Sequence, residues 1–313
     1  MFLNRRGFSS SILCRECGHT LTCEKCAIAL TYHKGQQLAK CHYCDHMEPV
    51  PSKCPQCGSR FIRYMGSGTE LVEEEVKKRW PWISTERMDL DTTQNKGAHQ
   101  QILERFAKGE TQVLIGTQMV AKGLDFPDVT LVGVLSADQM LYSDDYRSFE
   151  NAFSMLTQVV GRSGRGSSKG RAIIQTFTPE NPIISLAASQ DYDAFYNDEI
   201  VIRKAMLYPP FAQICLLGFV GDNSAKVSRC AAQFVKAFTD TLSSKFPDLP
   251  IRVLGPSPAA VPKVNNKYRY KIILKCRNDH KFRQMLSSVL TDFAKIKEYT
   301  DITVYADMHP IEL

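Results

Sequence analysis

Four Cys-x-x-Cys pairs crowd into the first 66 residues, and they constrain the fold of this segment more than any other feature of the chain. The pairs are Cys14/Cys17, Cys23/Cys26, Cys41/Cys44 and Cys54/Cys57. Zinc binds four thiolates in a tetrahedron, and a two-residue spacer lets one tight turn supply two of them. Eight cysteines in this pattern predict two closed, structural zinc sites. Because the segment holds few large apolar residues, we expect the metal to supply much of its folding free energy.

The spacing between the pairs favours one way of joining them. Five residues separate the first pair from the second, and fourteen separate the second from the third. The longer spacing is close to that of zinc ribbons. We therefore favour a nested arrangement, in which the two inner pairs share one zinc and the two outer pairs share the other. Sequential pairing remains open on this argument.

Two other roles for the paired cysteines are a thioredoxin-like redox centre and a disulfide framework. Four clustered pairs without a surrounding βαβ pattern disfavour the redox role. Residues 1–7 are too short and too basic for a secretory signal, so we expect a cytoplasmic protein with metal-binding cysteines rather than disulfides. No run of about 18 apolar residues occurs, which predicts no membrane contact. The net charge of +6 permits nucleic-acid binding without requiring it.

The remaining histidines and cysteines are expected to play lesser roles. Four histidines lie near the paired cysteines: His19, His33, His42 and His46. Because eight thiolates suffice for two sites, we expect these histidines at the surface or as hydrogen-bond donors to the metal ligands. Three cysteines lie among apolar neighbours further on: Cys215, Cys230 and Cys276. They are predicted to be inert core residues.

Residues 67–190 alternate strands and helices. The predicted elements are a helix over 71–79, a strand end at 88–91, a helix over 98–108, strands over 113–115, 129–135 and 171–177, and a helix over 148–160. Thr69 is the expected N-cap of the first helix, whose start can hold a phosphate, and we count it as a candidate DNA contact. The alternation predicts an α/β fold with a mainly parallel sheet.

The stretch from Gln158 to Arg165 reads Gln-x-x-Gly-Arg-x-Gly-Arg and follows the last of these helices. Arg162 and Arg165 lie three residues apart, and paired guanidinium groups suit phosphate oxygens. On charge alone, a basic turn that faces solvent is an equal alternative. The whole pattern resembles the sixth motif of superfamily 2 helicases. This resemblance implies that the glutamine and both arginines face ATP held by another lobe.

A second motif, over residues 117–126, follows the strand that ends at Ile115. Loops at the carboxyl ends of parallel strands are where ligands bind. The segment resembles the fifth helicase motif, which implies that Thr117 meets the nucleic-acid backbone. It also implies that Gly123 and Asp125 approach the nucleotide, whereas a turn or cap role for Asp125 is the plainer alternative.

Residues 191–313 follow the order βαββαβ, which predicts a ferredoxin-like α+β domain. A proline-rich loop over 254–262 is expected between the middle strands. Lys263, Lys267 and Arg269 follow it, interleaved with tyrosines that could stack on bases. These three residues are candidate DNA contacts, and a solvated hairpin is the alternative.

Six features come in one order along the chain: the Phe2–Gly7 start, the four cysteine pairs, Gly68–Glu70, Asp91–Thr93, Ile115–Met119 and Gln158–Arg165. Together they resemble the PriA family of primosomal helicases, which restart stalled replication forks. The resemblance implies a RecA-like second helicase lobe with a nested two-zinc insertion, followed by the small α+β domain. It also implies 3′→5′ unwinding, forked or single-stranded DNA as substrate, single-strand-binding protein and other primosome proteins as partners, and a nucleoid-associated monomer.

One departure from that family concerns ATP. No Gly-x-x-x-x-Gly-Lys-Ser/Thr motif occurs, and no Asp-Glu-x-His follows a strand. We therefore expect the carboxyl-terminal part of a helicase, truncated at Met1, that binds ATP and Mg²⁺ only with a first lobe and is inactive alone. The expected divisions are 1–66, 67–190 and 191–313. The main alternatives are a non-catalytic zinc-ribbon scaffold that binds nucleic acid and, more weakly, a redox or chaperone protein.

Overall fold

The computed structural model describes the whole chain except residues 4–10, 15, 27, 34–37, 42–43, 45, 66–67, 90–91, 94, 96, 122–125, 143–144, 162–169 and 312–313. The strands are β1 Phe2–Leu3, β2 Ser11–Cys14, β3 Thr31–His33, β4 Leu38–Lys40, β5 Met47–Pro49, β6 Ile62–Met65, β7 Thr85–Met88, β8 Val113–Gly116, β9 Leu131–Leu135, β10 Arg171–Ile174, β11 Gln213–Gly221, β12 Arg252–Val264, β13 Lys267–Cys276 and β14 Thr303–Met308. The helices are α1 Thr69–Arg79, α2 Ala98–Ala107, α3 Gln118–Ala121, α4 Asp138–Leu141, α5 Ser148–Val160, α6 Pro182–Ser189, α7 Tyr192–Met206, α8 Ser224–Lys245 and α9 His280–Phe293.

These elements form two compact units. The first comprises Met1–Ser10 and Tyr64–Glu199, and the second comprises Ser11–Arg63 and Ile200–Leu313. None of the helices in the described part of the chain combines the length and the apolar character needed to cross a bilayer.

The first unit is built on a parallel sheet with strand order β10-β9-β1-β8-β7. The central strand β1 alternates its two side chains between the faces. Phe2 packs with Val134 and the helix α5, whereas Leu3 packs with Ile115 and with Val76 of α1. Helices therefore cover both faces, which is why these strands are rich in apolar residues. The predicted α/β lobe is confirmed, and the cysteine-rich segment interrupts it in chain order between β1 and α1.

The part of the second unit from Ser11 to Arg63, which we call the cysteine module, contains a small sheet with strand order β5-β4-β3-β2-β6. Its pairs β2–β3, β3–β4 and β4–β5 are antiparallel. Its core cluster contains the buried residues Ile12, Leu21, Cys23, Cys26, Leu30, Ala39 and Cys41. Three of these seven are thiols and none is aromatic, so the apolar core is slight.

The carboxyl-terminal domain has the antiparallel strand order β12-β13-β11-β14, with α8 and α9 packed on one face. Phe234 of α8 lies at the centre, with ring centroids 5.5 Å from Phe219 and 5.0 Å from Phe293. The order βαββαβ confirms the predicted ferredoxin-like domain. The core also contains the three predicted inert thiols, and burial raises the pKa of each to about 12: Cys215, Cys230 and Cys276.

Two local predictions are wrong. The proline-rich stretch expected to form a loop is part of β12, with register shifts after Leu254 and after Pro258. The strand lies at the edge of the sheet, where a proline without an N–H removes no ladder hydrogen bond. The predicted N-cap Thr69 is instead the first residue of α1, after Gly68 at the cap. Its hydroxyl donates to Asp89, which draws the side chain into the interior.

Candidate metal centres and nucleic-acid surface

The structure brings the eight paired cysteines together as two tetrads. One tetrad contains Cys14, Cys17, Cys54 and Cys57, and the other contains Cys23, Cys26, Cys41 and Cys44. Within each, the four sulfur atoms lie within 4.8 Å of one another. Within a tetrad, sulfur atoms from different Cys-x-x-Cys pairs lie 3.6 to 3.7 Å apart. A tetrahedral zinc with Zn–S bonds of about 2.3 Å requires sulfur separations of about 3.8 Å. Both tetrads therefore fit zinc in size and donor type, and they follow the nested pairing.

The outer tetrad is built from the same turn used twice. Gly18 N–H donates to Cys14 O at 3.0 Å, and Gly58 N–H donates to Cys54 O at 2.8 Å. Gly18 and Gly58 have φ of 73° and 72°, a left-handed conformation that glycine adopts without strain. Each turn places a buried first cysteine and an exposed second cysteine at the same site. The glycines that follow two of the pairs are thus explained by turn geometry.

The inner tetrad is more enclosed. Cys23, Cys26 and Cys41 are fully buried, and Cys44 is half-buried. Burial raises the pKa of Cys26 to about 12, so a thiolate there needs a compensating cation. A zinc ion held by the tetrad would supply that charge and would favour the deprotonated ligands. Of the nearby histidines, His46 places its ring nitrogen 3.1 Å from Glu48 Oε2 and belongs to neither tetrad.

The turn between β12 and β13 contacts the inner tetrad. Asn265 N–H points at Cys26 Sγ at 3.3 Å, and Asn266 N–H donates to Lys25 O at 2.9 Å. The ammonium of Lys263 donates to Glu24 O at 2.8 Å. Glu24 and Lys25 are the spacer between two ligands, so this turn of the carboxyl-terminal domain braces the metal-binding loop.

Sequence reasoning missed this contact, although the turn itself carries a recognisable pattern. Asn265 and Asn266 have φ of 49° and 63°, as a two-residue type I′ hairpin requires. Asn-Asn between two strand-like runs indicates such a hairpin, but nothing in the sequence indicates what its tip touches. Of the predicted DNA contacts here, Lys263 is engaged with the cysteine module, Lys267 is exposed and Arg269 is half-buried.

The helicase-like residues of the first unit are described only in part. Arg162, Arg165, Gly123 and Asp125 lie outside the described residues. Gln158 lies in the last turn of α5, where its side-chain amide donates to Ser154 Oγ at 3.1 Å.

The two threonines predicted to meet DNA lie at the start of α1 and just after β8. Thr117 is half-buried and follows β8 directly. Thr69 is buried and bonded to Asp89. Burial acts to raise the pKa of Asp89, but hydrogen bonds from Thr69 and Thr92 and the charge of Arg87 hold that pKa below its usual value. The Thr69 hydroxyl is therefore held by an ionised carboxylate.

Family models match three parts of the chain. Residues 23–49 match the PriA DNA helicase Cys-rich region domain, residues 58–167 match the helicase conserved C-terminal domain, and residues 204–311 match the primosomal protein N C-terminal domain. The match over 23–49 covers the inner tetrad, which supports zinc as the metal of the cysteine module.

Curated relatives match almost the whole chain. The replication restart protein PriA of Bacillus subtilis is 42% identical over 99% of this chain and 38% of its own length. That of Synechocystis is 39% identical over 98% of this chain and 36% of its own length. The chain thus spans under two fifths of these two relatives. Among solved structures, the C-terminal domain of the DEAD-box protein Dbp5 is 20% identical, with a TM-score of 0.29 over 43% of this chain and 75% of that one.

Proposed function

The chain belongs to the PriA replication-restart family, and on that premise we propose that it forms part of an ATP-dependent 3′→5′ DNA helicase that acts at forked DNA. The observation that carries the proposal is the match of a helicase lobe, a zinc module and a primosomal domain in one chain. The alternative of a non-catalytic scaffold has no such support. The proposed functional divisions are 1–66, 67–190 and 191–313.

In this proposal the first unit supplies the second face of an ATP-binding cleft. The helix α5 leads into Arg162 and Arg165, whose guanidinium groups would stabilise negative charge on the γ-phosphate. Gln158, at the end of the same helix, would help to close the cleft, and Gly123 and Asp125 would approach the nucleotide. Thr69 and Thr117 would lie toward the DNA backbone. ATP and Mg²⁺ would be held by a first lobe, because this sequence has no phosphate-binding loop.

The second unit would hold two structural zinc ions and engage DNA and protein partners. The tetrads offer four thiolates each, which leaves no open coordination position for chemistry. Lys267 and Arg269 would contact phosphates, with Lys263 held back by its bond to the zinc loop. We infer that the partners are single-strand-binding protein and other primosome proteins, and that the protein acts as a monomer on the cytoplasmic nucleoid.

The test uses a complete, two-lobed helicase that contains this chain, with Arg162→Ala and Arg165→Ala introduced together. We expect ATP-driven strand separation on a 3′-tailed fork to fall by about 10³-fold or more, because the γ-phosphate loses its cationic partners. Binding of the fork without ATP should be unchanged. Arg171→Ala is the matched control, since Arg171 is exposed on the edge strand β10. The chain alone should hydrolyse ATP at background rate. Normal unwinding by the double variant would contradict the proposal.

A further inference from the structure

The sheet of the carboxyl-terminal domain has one face covered by helices and a second face, the open face, with a different composition. Along β11, Cys215, Leu217 and Phe219 point into the helix-covered core. Leu216 and Val220 alternate with them and are only half-buried, because successive side chains of a strand point to opposite sides. The register of β11 with β13 and β14 continues without a break, so the residues that share the open face can be read directly.

Four cations of β13 share the side of the open face; Lys275 is buried and donates to Met206 O, and the other three are accessible. Lys267, Arg269 and Lys271 occupy alternate positions and share the side of the sheet opposite the core residues Ile272 and Leu274. Lys267 is exposed, and the other two are half-buried. In the part of the chain that the structure describes, none of the three has a carboxylate partner. This strand therefore presents a row of positive charge that the domain itself does not neutralise.

The tyrosines interleaved with these cations point away from them. Tyr270 packs against the core on the helix side, and Tyr268 lies on that same side, with Lys263 Nζ 5.6 Å from its ring centroid. Nucleotide bases stacked on these rings would lie on the opposite side of the sheet from the cations of the open face. Adjacent sequence positions therefore do not place Lys267 and Arg269 beside these rings, whereas Lys263 does lie beside Tyr268.

The aromatic ring of the open face comes instead from the last strand. Gly218 of β11 lies between Lys271 of β13 and Tyr305 of β14 in one cross-strand row. A Cβ built on Gly218 would overlap the ring of Tyr305, so the ring lies over the glycine. Tyr305 nevertheless keeps 38% of its surface exposed. Because Gly218 has no side chain, the Tyr305 ring lies directly over the backbone of β11 and remains accessible.

Charge along the open face is uneven. Asp307 lies one row from Tyr305, opposite Leu216, whereas Arg269 lies one row away in the other direction, opposite Val220. The basic end is the end nearest the turn between β12 and β13. Strands about 4.8 Å apart place Lys271 about 10 Å from the Tyr305 backbone, a span that the two long side chains can cover.

We propose that Tyr305 stacks on an unpaired base of single-stranded DNA while Lys271 and Arg269 bind the adjoining phosphates. The proposal rests on the proposed DNA-binding function and assigns it to this face. A flat aromatic ring beside unneutralised cations is the arrangement that binds single strands without sequence preference. An acidic peptide would need only the cations, so the exposed ring favours single-stranded DNA over such a peptide as the ligand.

The experiment measures binding of a fluorescent 20-nucleotide oligothymidine to the full chain by anisotropy. We expect Tyr305→Ala to weaken binding about 5- to 150-fold, because one base loses its stacking partner. Tyr305→Phe should retain most of the affinity, since the ring remains. Gly218→Ala should weaken binding as well, because the added methyl group displaces the ring. Tyr142→Ala is the control, as Tyr142 is 58% exposed in the other unit.

Two further readings separate stacking from charge and from misfolding. Lys271→Gln should lower the slope of log affinity against log salt concentration by about 0.7, the value for one phosphate contact on a single strand. In Tyr305→Trp, the added indole fluorescence should be quenched by the oligonucleotide, which reports contact in the folded protein.

The proposal would be overturned if Tyr305→Ala bound the oligonucleotide with unchanged affinity and the indole of Tyr305→Trp were not quenched. In that case the chain would bind DNA through another surface. If Tyr305→Ala lost binding to an acidic peptide but kept its DNA binding, the open face would belong to a protein partner. That result would also overturn the proposal. No DNA binding by the parent chain would contradict the proposed function itself.

Discussion

The cysteine module and the carboxyl-terminal domain belong to one compact unit, yet they are held together by different forces. The domain buries a core that includes Phe219, Phe234, Phe238, Phe282 and Phe293. The module has no buried aromatic residue among its described core and owes three of its seven core positions to thiols. Burial of each large apolar side chain contributes about 1.5–3 kcal/mol, a source that the module largely lacks. The comparison shows that two parts of one compact unit can differ widely in how much apolar surface they bury.

In the described structure, the hairpin that joins β12 and β13 contacts the module through polar groups and through Val264, which packs against the module's apolar core. Asn265, Asn266 and Lys263 reach the loop that carries Cys23 and Cys26. The amide directed at Cys26 Sγ would favour the thiolate form that zinc requires. The carboxyl-terminal domain therefore supports the cysteine module at the inner tetrad.

Metal removal is the change that should separate the two parts most. An excess of EDTA should unfold the module, because structural zinc contributes on the order of 10 kcal/mol to such segments, whereas the aromatic core of the domain remains. Trypsin followed by mass spectrometry should then find new cleavage after Lys40, Lys53 and Arg60, with cleavage within β11–β14 unchanged. EDTA presaturated with zinc is the control. Equal cleavage of both parts would show that the module does not depend on metal.

A smaller effect should come from Lys263→Met, which removes the bond to Glu24 O but keeps the aliphatic stem. One such hydrogen bond is worth about 1 kcal/mol, so we expect zinc to leave the inner tetrad about 5-fold faster. The rate is measured as transfer of zinc to a coloured chelator. Lys267→Met is the matched control, because Lys267 is exposed one residue past the turn. If the two variants release zinc at the same rate, the hairpin does not brace the site.

Much of the architecture was predictable from local pattern. The cysteine spacing indicated which pairs join, since a fourteen-residue gap suits one ribbon, and the tetrads follow that arrangement. The helix from Ser148 to Val160 and the order βαββαβ were likewise visible in apolar periodicity. These features depend on residues close in sequence, for which spacing is a reliable guide to geometry.

What escaped prediction depends on long-range neighbours. Thr69 resembled a helix cap, but a carboxylate twenty positions away captured its hydroxyl. Lys263 resembled a phosphate ligand, but a carbonyl in the cysteine module holds it. The sequence indicated no role for Tyr305, because Lys271 is distant from it in sequence. The two residues share a cross-strand row only because β11 lies between their strands. Strand order decides such contacts, and adjacent residues of one strand do not share a face.

We expect the eight paired thiolates to hold two zinc ions and these ions to stabilise the module. Native mass spectrometry of the purified chain, followed by alkylation of its free thiols, tests this directly. We predict two zinc ions per chain, released together with the protection of the eight paired cysteines when a chelator is added. A chain that carries no zinc, or whose paired cysteines react freely while the module stays folded, would contradict the account.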